Sequence, residues 1–507
     1  MPVPGHPGRG RRLTVALRTA DEFLAGLRDG RRVYARGERV ADVTLHSGLR
    51  IAAEHGANVY ELAADPDLRE LFTCRRDGEL VSRYYEPLTD REALERRARL
   101  IEEHTRRGRT TLNLTKAVGT DALNALTTFA AAAARGGDTP YPERIASYLD
   151  RCTREDLSVV LAQTDVKGDR RLRPHQQADP DLYLRIVERG EEGIVVNGAK
   201  AHTTMAPVAD EVIVLPTRAM AAEDADYAVA FAVPIDTEGL TMICGPLPDP
   251  GASAWEAPIS SRNVEVESLT VFDRVLVPWE RVFLAGEHEL AGMLATTFAT
   301  YHRYTAIAYK LPFAELLLGC AVMAAEVNGT LAASHVREKL ATLVEYGGLL
   351  RACVEAAARH AVAAVGGQVL PAPVYTNVGK HHFASRFHEM LRVVQDLAGG
   401  LVITAPGRDD LDGAETGALI RKYLAGPAGV DPELRLRLFH LIRDITASDF
   451  GGYNQVVTLH GEGSLQAQSL QMLRDADLTS AVGAVADVLE AELPTPRGLA
   501  SALPVPG

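Results

Sequence analysis

The sequence predicts an α+β protein with an N-terminal helical domain, a central antiparallel β domain and a C-terminal helical bundle. Three observations carry this. Helical periodicity runs from Thr19 to about Glu155. From about Leu157 to Val282 it gives way to short β-rich runs broken by Gly, Pro and Asp. From about Gly286 to Leu493 long helical periodicity returns. Periodicity alone fixes the order α, then β, then α.

The elements follow in order. Residues 1–18 read as a flexible basic tail, with Arg9, Arg11 and Arg12 among glycines and prolines and no apolar run behind them. In 19–155 the leucines of Asp90 to Arg107 recur at helical spacing between Arg and Glu pairs. The alanine-rich Thr120 to Ala134 suits a fully buried helix. The central domain, 156–285, holds strand candidates at Gly193 to Gly198, Glu211 to Leu215, Tyr227 to Phe231 and Leu269 to Phe272. In 286–493, Met293 to Ala325, Ala332 to Val365 and Tyr375 to Leu397 are long enough for bundle helices. Residues 494–507 carry four prolines and read as a Pro-rich tail.

Bulk properties narrow the function classes. The 507 residues are 46% apolar and 24% charged, the balance of a globular protein with a large core. A net charge of -13 favours neither nucleic acid nor an anionic membrane as partner. No uninterrupted apolar run of about 18 residues suggests a membrane span. The five cysteines (Cys74, Cys152, Cys244, Cys320 and Cys353) are scattered and never at CxxC spacing, which fits a reducing cytoplasm and no local metal knuckle. His381, His382 and His388 lack an acidic or cysteine partner at ligand spacing and read as an ordinary helix face. No GxGxxG unit for a nicotinamide cofactor is present.

Several segments carry more information. Thr164-Asp-Val-Lys-Gly-Asp-Arg170 is a polar, glycine-containing basic loop able to offer backbone N–H groups and Arg170 to a phosphate or a polar ring edge; alone it also reads as a solvated turn. Asp179 to Glu188 and Gly193-Ile-Val-Val-Asn-Gly-Ala-Lys-Ala-His-Thr-Thr204 follow, then Val271 to Pro278, Ala291-Gly-Met293, Tyr301-His-Arg303, Gln395-Asp-Leu-Ala-Gly-Gly400 and His460-Gly-Glu-Gly-Ser464. In order and spacing, from about Thr19 to Val488, these resemble the 4-hydroxybutyryl-CoA dehydratase / 4-hydroxyphenylacetate hydroxylase superfamily, flavoproteins with an acyl-CoA-dehydrogenase-like fold.

The resemblance implies bound FAD. Thr164, Asp165, Lys167, Asp169, Arg170, Lys200, Thr203 and Thr204 would lie against the flavin. Gln395, Gly399 and Gly400 would reach a neighbouring subunit's cofactor, which implies a homotetramer or homodimer. The dehydratases hold an iron–sulfur cluster through three cysteines and one histidine. Here the histidine is kept as His302, while the cysteine positions match Asn113, Ala117 and Tyr309, so no iron–sulfur cluster is expected. Lys310 and Glu267 are retained; a tyrosine of the dehydratases matches Ala306, and a glutamate matches Val457. The hydroxylases surround a phenol with Arg, Tyr and His; Arg109 matches the first, Asn113 falls at the second, and Ala162 or Gln163 at the third.

The expected catalytic set is His302, Tyr309, Lys310, Glu267 and Arg109, with His302 as general base or hydrogen-bond donor. His302 and Tyr309, seven residues apart on a helix, would face the same pocket. Three functions stay open: an FADH2-dependent monooxygenase fed by a separate flavin reductase, acting on a small organic molecule; a cluster-free dehydratase, isomerase or dehydrogenase acting on an acyl thioester; and a non-catalytic homologue.

Overall fold

Residues 17–249 and 251–492 are described in the structure, a computed structural model. The N-terminal part runs α1 (Ala20–Gly26), a hairpin of β1 (Val33–Ala35) and β2 (Glu38–Val40), α2 (Ser47–Ala64) and α3 (Arg69–Phe72). A second hairpin, β3 (Thr73–Arg76) and β4 (Glu79–Ser82), leads to α4 (Arg91–Arg107), α5 (Leu114–Gly136) and α6 (Tyr141–Arg154). The strands β5 (Val159–Ala162), β6 (Arg185–Arg189), β7 (Gly193–Lys200), β8 (Glu211–Val214), β9 (Val229–Pro234), β10 (Leu240–Cys244), β11 (Ser268–Pro278) and β12 (Val282–Ala285) form the centre.

The C-terminal part begins with α7 (His288–Val327) and α8 (Ser334–Arg359), followed by the small hairpin β13 (Val362–Ala363) and β14 (Val369–Leu370) and by α9 (Pro373–Ala398). Shorter helices close it: α10 (Leu401–Thr404), α11 (Arg408–Asp412), α12 (Gly417–Tyr423), α13 (Pro432–Thr446), α14 (Asp449–His460), α15 (Leu465–Asp475) and α16 (Leu478–Leu489).

Local chemistry explains the key boundaries. Thr19 and Glu22 form a reciprocal capping box at the start of α1. Asp90 caps α4 by accepting from the Ala93 N–H at 2.7 Å. Residues 1–16 and 493–507, which hold nearly all of the two expected tails, lie outside the described residues. Arg18, assigned to the first tail, is tied down: its Nη1 donates to Asp210 Oδ2 at 2.5 Å.

The centre is two sheets rather than one antiparallel unit. One has the order β2-β1-β10-β11-β7-β6 and the other β12-β9-β8-β5. Most pairings are antiparallel, but β1 runs parallel to β10 and β5 parallel to β8. The helical pattern around the first hairpin concealed its strands, because each has three residues, too few to show a period of two.

Helix α5 packs directly on β5. A Cβ built at Gly119 would stand 2.1 Å from the Val159 carbonyl oxygen, so only glycine permits that approach. Helix α7 has the length and apolar composition of a membrane span, yet 61% of its most apolar window is buried inside the protein. It is the central helix of the bundle, packed on α4, α5, α8 and α9.

Candidate functional site

A cavity of about 1600 Å³ opens where the sheets meet the bundle. Its wall comes from the turn before α5, the loop after β5, the loop after β7, residues 265–267 leading into β11, and α7, α9, α14 and α15. Thr110, on that first turn, has φ 74° and follows Arg109 at φ 54°, two left-handed non-glycine residues in succession.

The loop after β5 supplies Thr164, Asp165, Lys167 and Arg170 to the wall, and Arg218 joins them from the segment after β8. Burial, followed by the charge of Arg170, pushes the Lys167 ammonium down. Arg218 Nε is buried and has no hydrogen-bond partner among the described residues. Three cations close together, one with an unused donor, suit an anionic or carbonyl-rich ligand edge.

Lys200 does something other than face that ligand. Its Nζ lies 2.7 Å from Asp165 Oδ1 and donates to the carbonyls of Gln163 (2.9 Å) and Leu215 (3.1 Å). It is a buried strut holding the loop after β5 in shape. The physical reason is strand alternation: the last residue of β7 points into the protein. Thr203 is likewise buried away from the wall, whereas Thr204 lies on it and donates to Glu267 at 3.0 Å. Asp169 is spent on Arg171, accepting from its Nε at 3.0 Å. Arg109 points outward, and its Nη1 donates to the Pro258 carbonyl at 3.1 Å. Gln395 donates to the Thr446 carbonyl at 3.1 Å; Gly399 and Gly400 are exposed, with nothing near either Cβ position. None of these last residues lines the cavity.

Helix α7 does bring His302, Tyr309 and Lys310 to one wall. His302 Nδ1 lies 3.2 Å from Asp121 Oδ2, and its ring stacks on Phe298 at 5.1 Å. Asp121 is fully buried and also accepts from Arg97 Nη2 (2.5 Å) and Thr305 Oγ1 (2.8 Å). A carboxylate so fixed sets the imidazole tautomer: Nδ1 carries the proton toward Asp121, which leaves Nε2 for a ligand.

The Tyr309 hydroxyl donates to Glu462 Oε1 and accepts from Lys310 Nζ at 2.7 Å. Lys310 Nζ is also 3.2 Å from that oxygen, and Lys380 Nζ makes an ion pair with Glu462 Oε2 at 3.3 Å. Burial pushes Lys310 down to about 8, with Glu462 opposing. Burial resists ionisation of Glu462 too, but Lys310 and Lys380 outweigh it and hold this carboxyl well below the usual carboxylate range.

Sequence reasoning missed Glu462, Lys380, Glu265, Tyr453 and Asp121. The acid expected near the glycine motif was placed against Val457; the structure puts Val457 on the wall and supplies the carboxylate from Glu462, inside His460-Gly-Glu-Gly-Ser464. A charged residue between glycines was the available signal. Tyr453 Oη lies 3.0 Å from Glu265 Oε2 and 2.7 Å from Glu267 Oε1. Burial, then the charge of Glu267, pushes Glu265 up to about 8, and burial raises Glu267 as well.

The positions matched to cluster ligands do not fit an iron–sulfur cluster. Asn113 is buried as the cap of α5, donating to the His55 (2.9 Å) and Gly56 (2.8 Å) carbonyls, and Ala117 offers no donor atom. Tyr309 presents a hard, neutral phenol, and no cysteine is among the described residues lining the cavity.

Two family models match end to end: 4-hydroxyphenylacetate 3-hydroxylase N terminal over residues 19–284 and 4-hydroxyphenylacetate 3-hydroxylase C terminal over 291–490. The chain belongs to the 4-hydroxyphenylacetate 3-hydroxylase family. It is 33% identical over 482 residues to 4-hydroxybutyryl-CoA dehydratase/vinylacetyl-CoA-Delta-isomerase of Clostridium aminobutyricum, covering 92% of this chain and 97% of that one. It is 30% identical over 443 residues to the 4-hydroxyphenylacetate 3-monooxygenase oxygenase component of Thermus thermophilus, covering 87% and 90%. The fold matches a solved oxygenase component of 4-hydroxyphenylacetate 3-monooxygenase complexed with FAD and 4-hydroxyphenylacetate. The TM-score is 0.86 at 28% identity, over 93% of this chain and 98% of that one.

Proposed function

We propose that this protein is the oxygenase of a two-component, FADH2-dependent monooxygenase that hydroxylates a small organic molecule, with its flavin reduced by a separate reductase. The observation that carries the reading is the replacement of the three thiolate positions by Asn113, Ala117 and Tyr309, the last hydrogen-bonded to Lys310 and Glu462, beside a cavity whose other wall keeps the loop after β5. Lys167, Arg170 and Arg218, whose Nε has no partner among the described residues, fit the polar edge or phosphates of FAD, and Thr204 fits a ring edge. When bound and reduced, the flavin would activate dioxygen and supply one oxygen atom to an electron-rich carbon.

The protein's own residues then have defined tasks. His302, oriented by Asp121, takes the proton of a substrate hydroxyl at Nε2 and so raises the electron density of the carbon to be oxygenated. Lys310, whose ammonium has a third N–H beyond those given to Tyr309 and Glu462, holds the resulting oxyanion. Phe298, Phe313, Phe383 and Phe387 give the cavity apolar wall and keep water from the reacting atoms. Gly399 and Gly400, exposed with open space around them, are the surface we assign to a neighbouring subunit of a homodimer or homotetramer.

A second reading, an FAD-dependent dehydratase, isomerase or dehydrogenase of an acyl thioester, is favoured by one observation: Glu265 and Glu267 place two carboxyls on the wall where a carbon acid could be deprotonated. One experiment separates the two. The purified protein, loaded with reduced FAD, is mixed with isotopically labelled dioxygen and a panel of phenols, and separately with hydroxyacyl and enoyl thioesters under anaerobic conditions. One labelled oxygen atom in the product supports the monooxygenase. Elimination or double-bond migration without oxygen consumption replaces it with the second reading, and failure to bind FAD removes both.

A further inference from the structure

The two carboxyls leading into β11 are joined in a way that constrains their protons. Tyr453, on α14, has one hydroxyl proton, yet its oxygen lies 3.0 Å from Glu265 Oε2 and 2.7 Å from Glu267 Oε1. A phenol donates one hydrogen bond and otherwise accepts. The hydroxyl therefore satisfies both neighbours only if one of them brings a proton of its own. Two ionised carboxylates on one hydroxyl would face each other in a buried wall, which costs heavily.

The surroundings decide which acid is neutral. Glu267 has a second donor, the Thr204 hydroxyl, at 3.0 Å from each of its oxygens, and His202 lends it favourable charge. Glu265 has no second hydrogen-bond donor among the described residues. The titratable groups facing it are Glu267, Tyr453, Glu462 from the loop after α14, and Lys310 from α7. The Tyr453 hydrogen bond and Lys310 favour a carboxylate at Glu265, but Tyr453 has its one proton to share with Glu267 and the Lys310 charge is engaged by Glu462 at 3.2 Å.

We propose that Glu265 is held as a neutral carboxylic acid and that Glu265, Tyr453 and Glu267 form a proton relay to the Thr204 side of the cavity. In one transfer the Glu265 O–H proton moves to Tyr453 Oη while the Tyr453 proton moves to Glu267. Two O–H bonds break and two form, and the charge passes from Glu267 to Glu265 with no electron gained or lost. Glu267, now protonated, is the donor to an oxyanion developing in the cavity. The assignment of that oxyanion rests on the monooxygenase reading, in which the oxygen atom not transferred leaves as water; the shared proton itself does not.

Infrared spectroscopy of the FAD-loaded protein tests it, using wild type, Glu265→Gln and Tyr453→Phe, each with and without carbon-13 glutamate. The expected result is a protonated-carboxyl band in wild type at neutral pH that is isotope-sensitive, absent in Glu265→Gln and moved in Tyr453→Phe. Identical wild-type and Glu265→Gln spectra in that region would overturn the proposal. If Glu265→Gln does not fold, an isotope-sensitive band that moves in Tyr453→Phe supports the relay and its absence from wild type refutes it. Turnover in Glu265→Gln should fall by about 10²–10⁴-fold, the range of a lost general acid. A band with no oxygenase activity toward any substrate would count against the monooxygenase reading alone.

Discussion

Replacing Glu462 by Gln removes one negative charge from a site that holds two cations. The carboxylate stands 3.2 Å from Lys310 Nζ and 3.3 Å from Lys380 Nζ, and the three side chains are 5%, 4% and 0% exposed. At an effective dielectric constant near 20, each pair is worth about 5 kcal/mol of attraction. Much of that loss is recovered when Lys310, already pushed down to about 8, gives up its proton near neutral pH. The net cost expected is about 3–5 kcal/mol, the range for breaking a buried pair by deleting one partner. With an unfolding entropy of about 2.1 cal/mol/K per residue, a cooperative chain of this length loses about 3–5 °C in Tm. Calorimetry of the FAD-free proteins reads this directly. The double variant Lys310→Met/Glu462→Gln should recover about 2 kcal/mol of the loss, because it removes the buried amine that Glu462→Gln forces to deprotonate. A Glu462→Gln protein within about 1 °C of wild type would refute the reasoning.

Other outcomes follow from the same geometry. His302→Ala should abolish turnover while FAD affinity stays near wild type, and Asp121→Asn should lower kcat by at least about tenfold with a shifted pH profile; unchanged activity in His302→Ala makes this residue a core imidazole only. Because burial lowers Lys310 from 10.5 to about 8, the folded protein binds fewer protons there than the unfolded chain between those values. Stability from this group therefore rises with pH across that window by up to about 3 kcal/mol, and Lys310→Met should flatten that part of a denaturation-versus-pH curve. Thr204→Val should remove one hydrogen-bond donor to Glu267 and alter the visible spectrum or affinity of bound FAD; a wild-type spectrum and affinity would remove Thr204 from the flavin site.

Long elements were legible because their signals are local. The leucines of Asp90 to Arg107 became α4, and the run Met293 to Ala325 lies inside α7. The same helix put His302, Tyr309 and Lys310 on one wall, since residues seven apart share a helix face. Lys200 misled for a local reason too: a lysine beside residues expected at the flavin reads as a ligand contact, and only the β7 alternation turns it inward to Asp165. Glu265, Tyr453 and Lys380 carried no such signal. Tyr453 meets Glu267 across 186 positions of chain, and Lys380 reaches Glu462 from another helix, so their roles exist only once the bundle has closed on the sheet. Glu462 is legible as the acidic residue of the glycine motif His460 to Ser464, just beyond Val457, the position that the resemblance aligns with a glutamate.

The pairing of β1 with β10 has a consequence for biosynthesis. Val33 lies beside Met242, so roughly 200 residues must leave the ribosome before the first hairpin meets the strand it pairs with. At about 5–20 residues per second that is a wait of about 10–40 s, during which one edge of β1 has no neighbour. The first strand among the described residues thus waits for a partner made about 200 residues later, and slow codons or a chaperone acting between these two strands would change the yield of folded protein.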